Sequence, residues 1–422
     1  MSAGRDNLRQ KSPRLLFLAY AFPPSRAIAA RRSWYLAKYL RRLGWDVTVV
    51  TPDPLLLADP DPHVNIKVWC EEAGVRRSLS GHDCRFLLGS SLSLRWWERS
   101  RLISGMLRQT AAYRGIEQYV GWAKPAYQVI CRLNPKDFQL TLSTGSPFVA
   151  FALAEQVKRR FGVPYILDYR DPWNQSPHLN RPPRARAILK EAKLLHAALG
   201  CMTVSASWSR LLSEGFGLST APEVITNGFD PEELTGVRAA HFDDFAVVYA
   251  GTFYQGKRTI TPLLSAIVAA NRKLKANERS IRLHYFGCDE SHVREVARRM
   301  AASQLCVLHG LVPRTQSLEA QRGADVVAVI TSVLQDASLA DLGIVTGKLY
   351  EALGLQSRVL LIAPRGSDAR RIVSYANAGR SFTGLEVESI AEWLVQVNRT
   401  DARRPAVGAE AFSWPVIALK AH

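Results

Sequence analysis

The sequence predicts an α/β protein made of two domains, each a parallel sheet with crossover helices. Three observations carry this. The 422 residues exceed what one hydrophobic core ordinarily organises. Apolar runs of strand length alternate with longer stretches of helical period, the pattern of βαβ units. That alternation occurs twice, on either side of the Gly-, Pro- and acid-bearing stretch 227–244. With 47% hydrophobic and 22% charged residues the composition is that of a globular protein, which excludes collagen, coiled coil and wholesale disorder.

The first series opens with a strand at 14–20, a helix through 31–43 and a strand at 46–51, with Gly44 closing the helix as a left-handed cap. Further strands are expected at 139–143, 165–167, 201–204 and 224–226. Val149, Leu153, Val157 and Phe161 recur every four residues and so share one face of a helix begun by Ser146 and Pro147. Trp208, Leu211 and Leu212 do the same after the capping residue Ser205. The second series places strands at 245–250, 281–286, 305–309, 324–330 and 358–362, each followed by a helical pattern. Neither series contains G-x-G-x-x-G or G-x-x-x-x-G-K-[ST], so the dinucleotide and P-loop fingerprints are absent. The six cysteines stand singly, which predicts reduced thiols and no zinc site. No apolar run reaches the ~18–20 residues needed to cross a bilayer.

Ligands of open α/β sheets bind beyond the carboxyl ends of the strands, so residues just after strands are the candidates for chemistry. Ser25 and Arg26 follow the first strand. Asp168-Tyr169-Arg170-Asp171-Pro172-Trp173 follows 165–167. Its carboxylates, guanidinium and indole could orient sugar hydroxyls or act in acid/base chemistry; an Arg–Asp structural ion pair beside a packed Trp is the equal alternative. Gly251 and Thr252 end the strand 245–250, and Lys257 and Arg258 follow in the same loop. A glycine there lets the backbone approach a ligand and two cations can clamp a diphosphate, whereas a solvated basic loop would do neither. Thr346 can cap a helix through Gly347 and Lys348 whose free N–H groups bind an anion, and Glu351, one turn in, suits two ribose hydroxyls. Asp59-Pro60-Asp61 is the only D-x-D, and His178, His196 and His309 show no paired metal spacing, so no metal is expected.

These residues together resemble a GT-B fold glycosyltransferase of the family 4 type, over nearly the whole chain. The resemblance rests on F-P-P at 22–24, the pattern R-x-x-x-L-A-K-Y-L-x-x-x-G-x-x-V-T-V-V-T from Arg32 to Thr51, and D-Y-R-D-P-W at 168–173. T-N-G-F-D at 226–230, Y-A-G-T-F-Y at 249–254, G-K-L-Y-E-A-L at 347–353 and Phe412-Ser413-Trp414 complete it. It implies two Rossmann-like domains: 13–226 on the acceptor side, a linker 227–244, and a donor-binding domain 245–400. Residues 401–422 would form a helix crossing back to the first domain.

It also implies transfer of a sugar from a UDP- or GDP-type donor, with retention and without metal or other cofactor. Asp171 and Arg170 would serve catalysis, and Ser25, Arg26 and Trp173 the sugar or acceptor. Gly251, Thr252, Lys257, Arg258, Gly347, Lys348 and Glu351 would bind the donor. The chain departs from the family in three places. Gly343 stands where the first glutamate of the Glu, seven residues, Glu motif belongs, Thr252 replaces a basic residue, and Ser25 and Arg26 replace a glycine pair.

The net charge of +18 predicts an anionic partner. Within 95–136, eight cations such as Arg99, Arg108 and Lys124 face two acids, interleaved with Trp96, Trp97 and Trp122. Basic residues attract anionic lipid and Trp and Tyr favour the headgroup zone, so this segment predicts peripheral attachment to the cytoplasmic face of a membrane, with an amphipathic first-domain helix carrying a solvated basic face as the alternative. A saccharide or lipid-linked acceptor of surface polysaccharide or glycolipid assembly fits that location. A nucleic-acid-binding protein is the competing class, but it lacks a recognised helix-turn-helix, zinc or RNA-binding signature. A sugar-nucleotide isomerase or catalytically silent relative is the other alternative.

Overall fold

Apolar strand residues buried on both faces organise two separate sheets in a computed structural model, described over residues 12–56, 60–81, 120–179, 182–254, 256–400 and 406–422. The chain divides into one unit of residues 1–203, 212–223 and 418–422 and another of 204–211 and 224–417. The sheet of the first unit contains β1 (Arg14–Leu18), β2 (Asp46–Pro52), β3 (Arg76–Ser80), β4 (Leu140–Gly145), β5 (Tyr165–Tyr169), β6 (Gly200–Thr203) and β7 (Glu223–Val224), in the order β3-β2-β1-β4-β5-β6-β7. Leu15 of β1 stands opposite Val47 of β2 and Leu140 of β4, both in parallel pairing. The strand order therefore reverses at β1, which makes the carboxyl ends of β1 and β4 a switch point of the kind at which ligands bind.

The second sheet contains β8 (Phe245–Ala250), β9 (Ile281–Phe286), β10 (Cys306–Leu308), β11 (Val326–Ile330), β12 (Val359–Ile362) and β13 (Gly379–Phe382), in the order β10-β9-β8-β11-β12-β13. All six residues of β8 are buried, as expected for a central parallel strand covered by helices on both faces. The register is parallel throughout, with its switch at β8. The architecture is thus α/β with two Rossmann-like sheets.

Most expected strands are present within one or two residues of their expected ends. Two strands, β3 and β13, carry no sequence signal. They read R-R-S-L-S and G-R-S-F, lie at sheet edges, and are exposed over much of their length. An edge strand has one partner and one open flank, so it needs no apolar run. The helix Val149–Phe161 begins after Phe148, later than Ser146 and Pro147 suggest. Gly44 takes φ +101°, the left-handed conformation its capping position demands. Ser205 precedes the helix Ala206–Phe216 without capping it, since its buried Oγ has no hydrogen-bond partner among the described residues.

Residues 227–244 are folded into the second unit. Asp230 caps the short helix Pro231–Leu234 by accepting from the Glu232 N–H at 3.0 Å, Phe229 and Leu234 are buried, and Asp244 Oδ1 lies 2.9 Å from His284 Nε2. Asp230 and Asp244 of this stretch are thus capping and strand-end partners. In the last helix, Trp414–Ala421, Trp414, Ile417 and Ala418 are buried. In the first unit, Trp45 Nε1 and His422 Nδ1 are 2.9 Å apart. All five cysteines among the described residues are free.

Candidate active site

In the first unit the D-Y-R-D-P-W block leaves the end of β5. Its two aspartates have opposite surroundings. Asp168 is fully buried and meets Arg32 of the helix Ile28–Arg42, whose Nη2 donates to Oδ1 at 2.7 Å and whose Nε donates to Oδ2 at 3.0 Å. Thr144 Oγ1 also donates to Oδ2, at 2.8 Å. This aspartate is a structural ion-pair partner.

Asp171 keeps 49% of its side-chain surface, with Arg170 Nη1 at 3.8 Å from Oδ2. Desolvation by the protein packed around it nevertheless raises its pKa, against the opposing pull of Arg170. The Arg170 guanidinium in turn donates to the Ser146 carbonyl. Arg170 and Asp171 are thus together as an open, polarised pair.

Trp173 lies flat on Phe148, ring centres 4.8 Å apart and planes 6° from parallel, and Lys190 Nζ stands 5.9 Å from the centre of its ring. One face of the indole is therefore committed to packing. The adjoining Asn174 is held by Glu191, whose Oε2 accepts from the Asn174 backbone N–H at 3.2 Å and from Nδ2 at 2.6 Å. Glu191 is fully buried, and desolvation pushes its pKa up to about 7. After β1, Ser25 Oγ accepts from the Ala27 N–H at 3.3 Å and Ser25 pairs with Pro60 in an isolated bridge. Arg26 is exposed. Asp59 of the D-x-D lies outside the described residues.

In the second unit the loop after β8 is braced by aromatic rings. Tyr285 OH donates to the Gly251 carbonyl at 2.8 Å, Tyr249 OH donates to the Thr252 carbonyl at 3.3 Å, and Phe253 stacks on Tyr249 at 4.9 Å. Gly251 has φ +148°, and a Cβ there would lie 2.1 Å from Lys348 Cε and 2.4 Å from Nζ. The Lys348 stem thus lies directly over the Gly251 backbone. Burial lowers the pKa of Lys348; Glu351 opposes this, and the nearby Arg258 charge reinforces it. Lys348 is the second residue of the helix Gly347–Gly354, so its charge joins the positive end of a helix dipole.

Arg258 is buried with its Nε unpartnered among the described residues, its guanidinium 4.9 Å from the centre of the Tyr254 ring. Thr346 occupies the N-cap position but makes no cap hydrogen bond, leaving its buried Oγ1 unpartnered among the described residues. Two cations, a helix N-terminus and two orphaned polar atoms thus gather near Gly251, where a diphosphate can satisfy all of them.

Two donor-site candidates are engaged by residues that the sequence did not single out. Lys257 Nζ donates to Asp341 Oδ1 at 2.7 Å, and Asp341 belongs to the capping box of the helix Leu339–Leu342. Burial alone would raise the pKa of Asp341, but bonds from Lys257 and Ser338 outweigh it and hold the carboxyl low. Lys257, expected in a phosphate clamp, is held as a loop tether, while the charge of Arg258 acts on Lys348.

Glu351 Oε1 accepts from Arg314, which also pairs with Glu233 through Nε at 3.0 Å. The missing glutamate at Gly343 has a steric reason. A Cβ there would sit 2.1 Å from Trp208 Cδ1, and the indole is fixed by donating from Nε1 to the Ala340 carbonyl at 2.8 Å. Asp341 and Arg314 had no signal in the sequence, and Trp208 none as the neighbour of Gly343, because each meets its partner across 37 to 135 residues of chain.

Residues 95–119 of the basic aromatic segment lie outside the described residues. Trp122, expected at the membrane interface, is fully buried and donates from Nε1 to Ser80 Oγ at 2.7 Å; it belongs to the core. Among the described residues there is no group of three or more His, Cys, Asp or Glu that could hold a metal, and no helix long and apolar enough to cross a membrane.

Residues 29–228 match the family described as the glycosyl transferase 4-like domain. The chain is a glycosyltransferase that carries this domain. This glycosyltransferase shares the GT-B fold with solved structures of low identity. Sucrose-phosphate synthase from Thermosynechococcus elongatus is similar at 14% identity and a TM-score of 0.63, over 97% of each chain. The lipopolysaccharide outer core galactosyltransferase WaaB in its apo form is similar at 12% identity and a TM-score of 0.56, over 96% of this chain and 97% of that one. The α,α-trehalose 6-phosphate synthase of Burkholderia multivorans is similar at 11% identity and a TM-score of 0.56, over 97% and 96%. No curated protein matches the glycosyltransferase significantly.

Proposed function

We propose that this glycosyltransferase takes its sugar from a nucleoside diphosphate donor of the UDP or GDP type and passes it to a saccharide or lipid-linked acceptor in surface polysaccharide or glycolipid assembly. The observation that carries the reading is the convergence of Lys348, Arg258 and the Gly347–Gly354 helix N-terminus around Gly251, with Arg258 Nε and Thr346 Oγ1 left without partners. Departure of a nucleoside diphosphate builds charge on its outer phosphate. Cations and N–H groups already in place stabilise that charge without reorganisation, so the reaction needs no resident cofactor or metal. Lys348 gains most: an ammonium held in a desolvating site recovers its charge stabilisation when a phosphate arrives. Gly251 and Gly347 admit the phosphates close to the backbone. Glu351 Oε2 takes a ribose hydroxyl while Arg314 holds Oε1. Thr252 and Lys257 shape the loop.

In the first unit, Asp171 and Arg170 act on the reacting sugar or the acceptor hydroxyl, and Ser25, Arg26 and the free edge of Trp173 receive the acceptor. Retention of configuration and work at the cytoplasmic face of a membrane complete the proposal. A panel of UDP- and GDP-sugars, scored for transfer into membrane extract, for hydrolysis and for epimerisation, tests it. Transfer from one of them supports the reading; epimerisation without transfer, or no nucleotide binding by calorimetry, refutes it.

A further inference from the structure

The helix Ala185–Ala197 of the first unit carries a surface that the chemistry above does not use. Arg186, Leu189, Lys190 and Lys193 stand at i, i+3, i+4 and i+7, one stripe of the helix, and all four are exposed. The opposite stripe, Glu191, Leu194 and Leu195, is buried. Leu189 keeps 68% of its surface in water at the middle of three cations. The one acid of the helix, Glu191, is buried, so nothing on this helix offsets the outward positive charge. Leu179, just before the helix, is 48% exposed, and Leu199, just after it, is 67% exposed.

We infer that this stripe docks the protein on a bilayer containing anionic lipid. The argument is charge complementarity combined with the position of the leucine. A purely polyanionic partner would pair with the cations and leave Leu189 in water, whereas a lipid surface takes both: the cations meet headgroup phosphates while Leu189 enters the acyl boundary beneath them. The stripe also adjoins the candidate site, because Lys190 Nζ lies 5.9 Å from the centre of the Trp173 ring. Docking there brings the Asp171–Trp173 loop to the membrane surface, which suits the lipid-linked acceptor of the proposed function; that last clause rests on the transferase reading, but the docking itself does not.

The test is co-sedimentation of the full chain with phosphatidylcholine vesicles carrying or lacking phosphatidylglycerol, without any transfer assay, so a failure here leaves the transferase reading standing. Arg186→Glu with Lys193→Glu, and separately Leu189→Glu, are all at exposed positions, and a melting curve checks that each variant is folded. Each cation near anionic headgroups contributes about a factor of five in partition, so the double reversal is expected to lower affinity for the anionic vesicles by roughly thirty-fold or more. Leu189→Glu is expected to lower it at least about ten-fold, and high salt to release the wild type. The inference is overturned if the wild type is not retained by anionic vesicles, or if folded variants bind them as the wild type does, which would place attachment elsewhere on the chain. It is equally overturned if DNA displaces the vesicles while Leu189→Glu has no effect, which would make the stripe a polyanion site.

Discussion

Asp168 and Asp171 are three positions apart in one motif, and the structure assigns them different tasks that two isosteric substitutions separate. Asp168→Asn removes the negative charge that faces Arg32, with both side chains at or below 3% exposure. Removing one member of a buried pair typically costs about 3–5 kcal/mol, since the remaining charge is held in a low dielectric. For a unit of this size each kcal/mol moves Tm by roughly 2–4 °C, so a fall of about 6–20 °C is expected. Asp171→Asn acts on a group with 49% of its surface open and with Arg170 at 3.8 Å. Exposed pairs contribute ~1 kcal/mol or less. Its Tm is therefore expected to stay within about 4 °C of the wild type, while transfer at saturating donor falls well below the wild-type rate and the donor dissociation constant holds. Differential scanning calorimetry of both variants, with steady-state transfer and donor titration for Asp171→Asn, measures the contrast. A Tm unchanged in Asp168→Asn, or equal losses of Tm in the two variants, would falsify the division of labour.

Lys348→Ala and Arg258→Ala are each expected to weaken nucleoside diphosphate binding by roughly ten-fold or more, through loss of a charge-assisted contact; calorimetry with UDP and GDP showing unchanged affinity in both would remove the phosphate site. Gly343→Glu, which restores the family residue, is expected to lower Tm with no gain in donor affinity, because its Cβ would press 2.1 Å from Trp208 Cδ1 and overpacking costs about 1–3 kcal/mol; a stable variant with tighter donor binding would refute the steric account. Glu191 is raised from the ordinary 4.5 to about 7, so the folded state holds its proton where the unfolded chain releases it. Its contribution to stability is full below pH 4.5 and is lost as pH rises to about 7, a difference of roughly 3 kcal/mol. Glu191→Gln is expected to flatten that part of the stability profile, and urea denaturation series at pH 5 and pH 8 with the same slope in both proteins would contradict it.

What the sequence determined by itself is the set of properties written in local pattern. Continuous apolar runs such as Phe245–Ala250 announce central strands because both faces of a parallel strand are covered, and Gly44 announces a helix end because few other residues accept its backbone angle. The order of short motifs from Arg32 to Trp414 was sufficient to anticipate the fold and the family, since each marks the end of a strand or the start of a helix. The glycine and lysine at Gly251 and Lys348 were legible as candidates, although not as neighbours of each other.

What only the tertiary structure decided is which charged groups are already taken. Lys257 and Lys348 look alike in sequence, yet Asp341 captures one and Gly251 leaves room for the other. Asp168 and Asp171 differ because Arg32, 136 residues away in the chain, closes a buried ion pair with the first. The edge strands β3 and β13 were invisible for the matching reason, that pairing with one neighbour needs no apolar run of their own. An ion pair depends on distance through space and on exclusion of water, and neither quantity is encoded in the spacing of residues along the chain.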